Sequence, residues 1–228
     1  MTEQFFATRE EASAAAAGRI SAALNKRLAG QDEASVVVSG GTTPARCFER
    51  LAHEAIDWDR VHVLLSDERW VPADDASSNE QMVRAKLLQN GAAAARLLPA
   101  YVPGKDIAAA SEALDQAIRT LPFPFASALL GMGEDGHFAS LFPDAPNLAE
   151  GLDVDSSRLV IPVSTAASPH PRVSMTLAAL SRSDEIVLLI FGDAKRAVYE
   201  QARESKSAYP VARLLRQKRA PVHVFWAP

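Results

Sequence analysis

The segment Gly131-Met132-Gly133-Glu134-Asp135-Gly136-His137 places two carboxylates and one imidazole within four residues, on a backbone punctuated by three glycines. An imidazole titrates near neutrality, so it can take up a proton and return it. A carboxylate two residues away can orient the ring and keep it basic. Asp135 and His137 therefore read as a proton-handling pair. The segment follows an apolar run, Ala126 to Leu130, with the character of a buried strand. Ligands of open α/β sheets sit beyond the carboxyl ends of such strands.

A second stretch has the chemistry of an anion cradle. The β-branched run Ala34 to Val38 leads directly into Ser39-Gly40-Gly41-Thr42-Thr43-Pro44, and a helix is expected from Ala45 to His53. Gly40, Gly41, Thr42 and Thr43 offer backbone amides and hydroxyls to an anion, and Pro44 suits a first helical turn. This loop has neither GxxxxGK(S/T) nor GxGxxG, which argues against a nucleoside triphosphate or a dinucleotide held by it.

Three further groups carry charge. Asp67, Glu68 and Arg69 follow the strand Val61 to Leu65; in an extended chain they alternate in direction, so they cannot all face one ligand and one is free for a structural role. Arg172 lies in the proline-stiffened stretch Ser168 to Val173, where a rigid loop would present a guanidinium for a bidentate grip on phosphate. Lys195 falls in the first turn of a helix after Gly192, where the dipole disfavours a cation, a hint that its charge is functional. There is no GxSxG elbow, and Cys47 sits inside an expected helix, so a serine or cysteine nucleophile is not expected.

The elements that must position these groups alternate along the chain. A short first strand is expected at Phe5 to Ala7, then an alanine-rich helix from Glu10 to Leu28. After Val61 to Leu65 come a helix capped by Ser77-Ser78 and running to Gln89, a connector from Asn90 to Pro103, and a helix from Asp106 to Arg119. Beyond the Asp135–His137 segment lie a loop to Arg158, a strand from Leu159 to Val163, a helix around Met175 to Leu180, and the most apolar strand, Glu185 to Phe191. A helix to Arg203, another from Tyr209 to Arg216, and a terminal strand, Pro221 to Trp226, complete the order. His223 in that last strand reads as a packing or surface residue. No linker or repeat divides residues 1–228. The expectation is one α/β domain, a Rossmann-like, mostly parallel β-sheet with helices on both faces.

Composition narrows the partners. A hydrophobic fraction of 48% supports a substantial core, and a net charge of −4 gives no basic footprint for nucleic acid. One cysteine excludes an internal disulfide framework. The acidic start, MTEQFFATREE, lacks the apolar region of a secretory leader, and no run approaches the length of a membrane span. A cytoplasmic protein is expected, a monomer or weak homodimer, with neither nucleic acid nor membrane as partner.

Taken together, Ser39 to Pro44, Ser66 to Pro72 with Asp74-Asp75 and Ser78-Asn79, Gly131 to Pro143, Pro171-Arg172, and Gly192 to Lys195 resemble the 6-phosphogluconolactonase family. The blocks occur in the family's order and spread over most of the chain. The resemblance implies a Rossmann-like parallel sheet, no required metal or cofactor, and hydrolysis of 6-phospho-D-glucono-1,5-lactone, a small sugar-phosphate lactone. It casts His137 as general base toward water, Asp135 as its orienter, and Asp67 with Arg69 as a second charged cluster. Arg69 would stabilise negative charge on the phosphate or on the oxyanion. Gly40, Gly41, Thr42, Thr43, Arg172 and Lys195 would grip the phosphate. Related glucosamine-6-phosphate deaminases share the phosphate loop, the Asp-Glu pair and the Asp-Gly-His element, but Arg69-Trp70 and Phe138 to Pro143 favour the lactonase. Phe138 and Ser174 stand where lactonases usually carry threonine. The alternatives are a deaminase/isomerase and a non-catalytic sugar-phosphate sensor.

Overall fold

The computed structural model describes residues 1–228. In chain order its strands are β1 (Thr2–Phe5), β2 (Ala34–Val38), β3 (Val61–Leu65), β4 (Asp67–Arg69), β5 (Arg96–Leu98), β6 (Ser127–Leu130), β7 (Val160–Val163), β8 (Arg172–Met175), β9 (Ile186–Phe191) and β10 (Val222–Ala227). The helices are α1 (Arg9–Leu28), α2 (Ala45–Leu51), α3 (Asn79–Lys86), α4 (Ile107–Arg119), α5 (Leu148–Gly151), α6 (Leu177–Leu180), α7 (Asp193–Ala202) and α8 (Pro210–Arg216).

Seven strands form one parallel sheet in the order β1-β10-β9-β6-β2-β3-β5. Its central strands β2 and β6 are buried along their whole length, which is why both read as largely apolar runs, each with one small serine. The chain first moves toward one edge, from β1 through β2 and β3 to β5. It then returns to β6 and proceeds through β9 to β10 at the other side. Parallel crossovers are right-handed, so this reversal puts α1, α2 and α3 on one face and α4, α7 and α8 on the other. The packing agrees: α1 lies along α2, α2 against α3, and α7 against α8. Neighbours β2 and β6 thus have connections that leave in opposite directions, and a crevice opens beyond their carboxyl ends.

Helix α1 shows how sequence sets these contacts. Thr8 accepts from the Glu11 amide while the Glu11 side chain reaches back to the Thr8 amide, a reciprocal cap. Ala12, Ala16, Ile20, Leu24 and Leu28 then fall on one buried stripe, where the small alanines allow close approach to the sheet.

Some elements differ from the sequence expectation. A second, antiparallel sheet has the order β4-β8-β7, with Asp67 opposite Ser174 and Arg69 opposite Arg172. Arg172 therefore opens a strand rather than sitting in a loop, because pairing on both sides extends the chain as soon as Pro171 is passed. Met175 ends that strand, which leaves α6 only four residues. The connector after Asn90 contains the edge strand β5, held by β3 alone. The first strand ends at Phe5, since its register with β10 begins at Thr2.

His223, in β10, is buried in a polar network. Its Nε2 lies 2.7 Å from Arg19 Nη2 and its Nδ1 lies 2.6 Å from Thr2 Oγ1. Arginine only donates, so Nε2 accepts, and the neutral ring donates from Nδ1 to threonine. Burial, then the Arg19 charge and the N-terminal amine, push His223 down to about 4. The unfolded histidine titrates near pH 6.5, so between about pH 6.5 and 4 the unfolded chain binds the extra proton. Stability should fall across that window as pH falls. His223→Gln should flatten this part of the pH dependence in urea unfolding; an unchanged slope would contradict the assignment.

Candidate active site

The crevice is built from the exits of β2 and β6 and from the small sheet. On the β2 side, the amides of Gly40, Gly41, Thr42 and Thr43 donate to no protein acceptor. Pro44 leads into α2 without a side-chain cap, so Thr43 is not spent on capping. Gly40 permits a close approach: a Cβ there would lie 1.8 Å from Asn79 Oδ1.

On the β6 side the chain turns back on itself, with the Gly133 amide donating to the His137 carbonyl at 2.9 Å. The His137 Nδ1 is 2.5 Å from Asp135 Oδ1, and the same oxygen accepts from the His137 amide at 3.2 Å. A carboxylate can only accept, so the ring proton sits on Nδ1 and Nε2 carries the free lone pair. The imidazole packs against the Phe142 ring at a centroid distance of 4.1 Å. Ala139, two residues on, is held at φ 48, an unusual conformation for alanine that the buried surroundings impose.

Strand β4 divides its charges by alternation. Fully buried Glu68 turns away from the crevice, into the start of α3. There it accepts from the amides of Arg69 (2.7 Å), Asn79 (2.8 Å) and Glu80 (2.8 Å) and from the Ser78 hydroxyl (3.0 Å). Burial pushes its carboxyl above the usual carboxylate range, opposed by those four donors. Asp67 and Arg69 point the other way, to the crevice. Asp67 accepts from Ser66 Oγ (2.8 Å) and Ser140 Oγ (2.5 Å), and Arg172 Nη1 stands 3.7 Å away. Arg69 donates from Nη1 to the Ser77 carbonyl while its buried Nε has no protein partner.

Arg172 lies over the Phe142 ring at 5.2 Å and donates to Ser168 Oγ from Nε and Nη2. Burial holds its guanidinium below the usual range, with Asp67 pulling it back up. Lys195, in the first turn of α7, is half-buried; burial lowers its ammonium pKa and Glu134 raises it.

The resulting crevice has a volume of about 240 Å³. Nine of the ten residues singled out from the sequence line it: Gly40, Gly41, Thr42, Thr43, Asp67, Arg69, His137, Arg172 and Lys195. Asp135 stands behind His137. Asn79, which also lines the crevice, and Ser140 fall within the blocks that carry the resemblance but have no site role in the sequence analysis, because their roles depend on partners far away in the chain. Arg69, Arg172 and Lys195 outweigh Asp67, so the crevice is cationic in a chain whose net charge is −4. Such a field suits an anionic ligand. A larger groove of about 720 Å³ runs beside α4, but its charged groups Asp115 and Arg119, and Glu112 and Arg158, pair with each other, and it holds no imidazole.

Residues 7–226 match the family described as glucosamine-6-phosphate isomerases/6-phosphogluconolactonase. This chain belongs to that family. Among its relatives, the 6-phosphogluconolactonase of Mesorhizobium japonicum is 43% identical over 98% of this chain and 94% of its own length. That of Caulobacter vibrioides is 44% identical over 97% of this chain and 95% of its own. The crystal structure of a 6-phosphogluconolactonase from Shewanella baltica superposes with a TM-score of 0.96 at 35% identity, covering 100% of this chain and 98% of the other.

Gly133 leaves no room for a side chain beside the proton pair. A Cβ there would lie 2.3 Å from His137 Nδ1 and Cε1 and 2.5 Å from Asp135 Oδ1. Gly133→Ala should displace the imidazole and lower kcat by about 10²-fold, the scale of an ångström of misplacement. Turnover equal to that of the unaltered protein would show that the pair does not need this approach.

Proposed function

We propose that this chain hydrolyses 6-phospho-D-glucono-1,5-lactone to 6-phospho-D-gluconate. The observation that carries the reading is the Asp135–His137 pair, its Nε2 free, on the rim of a cationic crevice with unpaired backbone amides. The crevice supplies what a phosphorylated lactone needs: an anion grip and a base within one small volume. Relatives more than 40% identical over nearly the whole chain carry the lactonase name, which favours the lactone over an amino sugar.

In this reading the phosphate is held by Gly40 to Thr43, Arg172 and Lys195, and the lactone carbonyl is presented near His137. His137 Nε2 takes a proton from water as the water oxygen bonds to C1, and Asp135 stabilises the imidazolium. Arg69 offsets the negative charge that develops on the substrate. The C1–O5 bond then breaks, and the imidazolium returns its proton to O5, which leaves as the C5 hydroxyl. The new carboxylic acid ionises to the product. Both proton transfers that accompany bond making and breaking are assigned to His137, and a fixed ester-like substrate needs no covalent intermediate.

The same reading makes this a cytoplasmic enzyme, a monomer or weak homodimer, acting on a free small molecule rather than on nucleic acid or a membrane. No helix is long and apolar enough to cross a membrane. Cys47 is fully buried in α2, and burial pushes its thiol up to about 12, so it has no part in the chemistry.

The test is hydrolysis of freshly made lactone, coupled to oxidation of the product, with the spontaneous rate subtracted and ammonia release from glucosamine 6-phosphate followed in parallel. His137→Ala should lower kcat by about 10²–10⁴-fold with little change in KM. Arg172→Ala should mainly raise KM. Undiminished turnover in His137→Ala would overturn the base assignment, and ammonia release without lactone hydrolysis would overturn the substrate.

A further inference from the structure

Ser140 is fully buried and lies three residues beyond His137. It touches both β4 and β8 of the small sheet where they border the crevice. Its hydroxyl donates to Asp67 Oδ2 at 2.5 Å and accepts from Arg172 Nη1 at 3.4 Å. Its amide donates to Ser174 Oγ at 3.1 Å, and Ser174 is the residue paired with Asp67 across β4 and β8.

The distances around Asp67 show an arrangement that an aspartate–arginine pair would not adopt alone. Arg172 Nη1 stands 3.7 Å from Asp67 Oδ2, too far for a hydrogen bond, although both side chains are nearly enclosed. Left to themselves, a buried carboxylate and guanidinium close to a bidentate pair, the geometry the planar fork favours. Here each carboxylate oxygen already accepts from a hydroxyl, Oδ1 from Ser66 and Oδ2 from Ser140. Arg172 is instead laid over the Phe142 ring and anchored on Ser168.

We propose that Ser140 is a positioning residue that satisfies Asp67 and so keeps Arg172 from collapsing onto it, leaving the guanidinium to bind the substrate phosphate. The inference rests on the reading of Arg172 as a phosphate ligand. Without the Ser140 hydroxyl, Asp67 Oδ2 loses its donor in a buried site, and the nearest cation is Arg172. The guanidinium then closes onto the carboxylate and withdraws from the crevice. The effect acts through the phosphate grip alone, because Ser140 contacts neither His137 nor Asp135 through its side chain.

The experiment measures the calorimetric Kd of 6-phosphogluconate for the unaltered protein, Ser140→Ala, Arg172→Ala and the double variant, with thermal midpoints and kcat alongside. Arg172→Ala should weaken binding by at least about tenfold, the scale of one charge-assisted hydrogen bond. Ser140→Ala should weaken it by about the same factor and lower kcat no more than Arg172→Ala does, and the double variant should be no worse than Arg172→Ala alone, since both changes remove one grip. Weakening by Arg172→Ala but not by Ser140→Ala would overturn this inference and leave the phosphate reading intact. Full affinity in Arg172→Ala would overturn the phosphate reading itself. A lower thermal midpoint and lower kcat in Ser140→Ala, at unchanged Kd, would reduce Ser140 to packing and overturn the proposal. Should Ser140→Ala not fold, Ser140→Cys, whose thiol is a weak donor, is judged by the same outcomes.

Discussion

The pairing of β2 with β6 at the centre of the sheet is the constraint on which the site depends. Val38 lies opposite Leu129, and the Ser39 amide still donates to the Leu129 carbonyl. That register brings the amide-rich loop after β2 and the Asp135–His137 turn after β6 out of the sheet side by side. Because the chain leaves the two strands in opposite directions, no helix fills the space between their ends. The anion cradle and the base are thus adjacent although nearly a hundred residues separate them in sequence. Hydrophobic burial along both strands fixes that adjacency, so the chemistry is positioned by the stiffest part of the molecule.

The small antiparallel sheet adds the charges. Its contribution relies on the period of two in an extended chain. Glu68 is spent on structure, locking the start of α3 to β4, while its neighbours Asp67 and Arg69 face the crevice. Burying so many ionised groups is costly unless each has partners. The hydroxyls of Ser66, Ser78, Ser140 and Ser168 supply those partners without adding charge. The cations are left underused by the protein, and this is what a binding site for an anion requires.

The parallel sheet was legible because the buried strands β2, β3, β6 and β9 are largely apolar and each is followed within two residues by glycine or charge. The proton pair was legible because Asp135 and His137 are two residues apart. Alternation at Asp67, Glu68 and Arg69 also foretold that one of the three would turn inward. The second sheet was not legible. Three-residue β4 and four-residue β8 carry too little pattern, and the prolines before Arg172 argue locally for a loop. Strand β5 is three residues at an edge, beginning with an exposed arginine. Ser140 was invisible for a different reason: its hydroxyl means nothing until Asp67, 73 residues earlier, is known to touch it. Asn79 likewise looks like a helix cap until the absence of a Cβ at Gly40 shows how closely it approaches the cradle.

The central claim is that the phosphate grip places the lactone carbonyl at His137, so that binding energy from a remote group appears in turnover. The most direct test compares the phosphorylated lactone with unphosphorylated glucono-1,5-lactone under saturating conditions. The account predicts that the unphosphorylated lactone has both a higher KM and a markedly lower kcat over the spontaneous rate. Equal kcat for the two lactones, with the difference confined to KM, would contradict it: the phosphate site would then serve only for capture, and the geometry of the crevice would not be guiding the reaction.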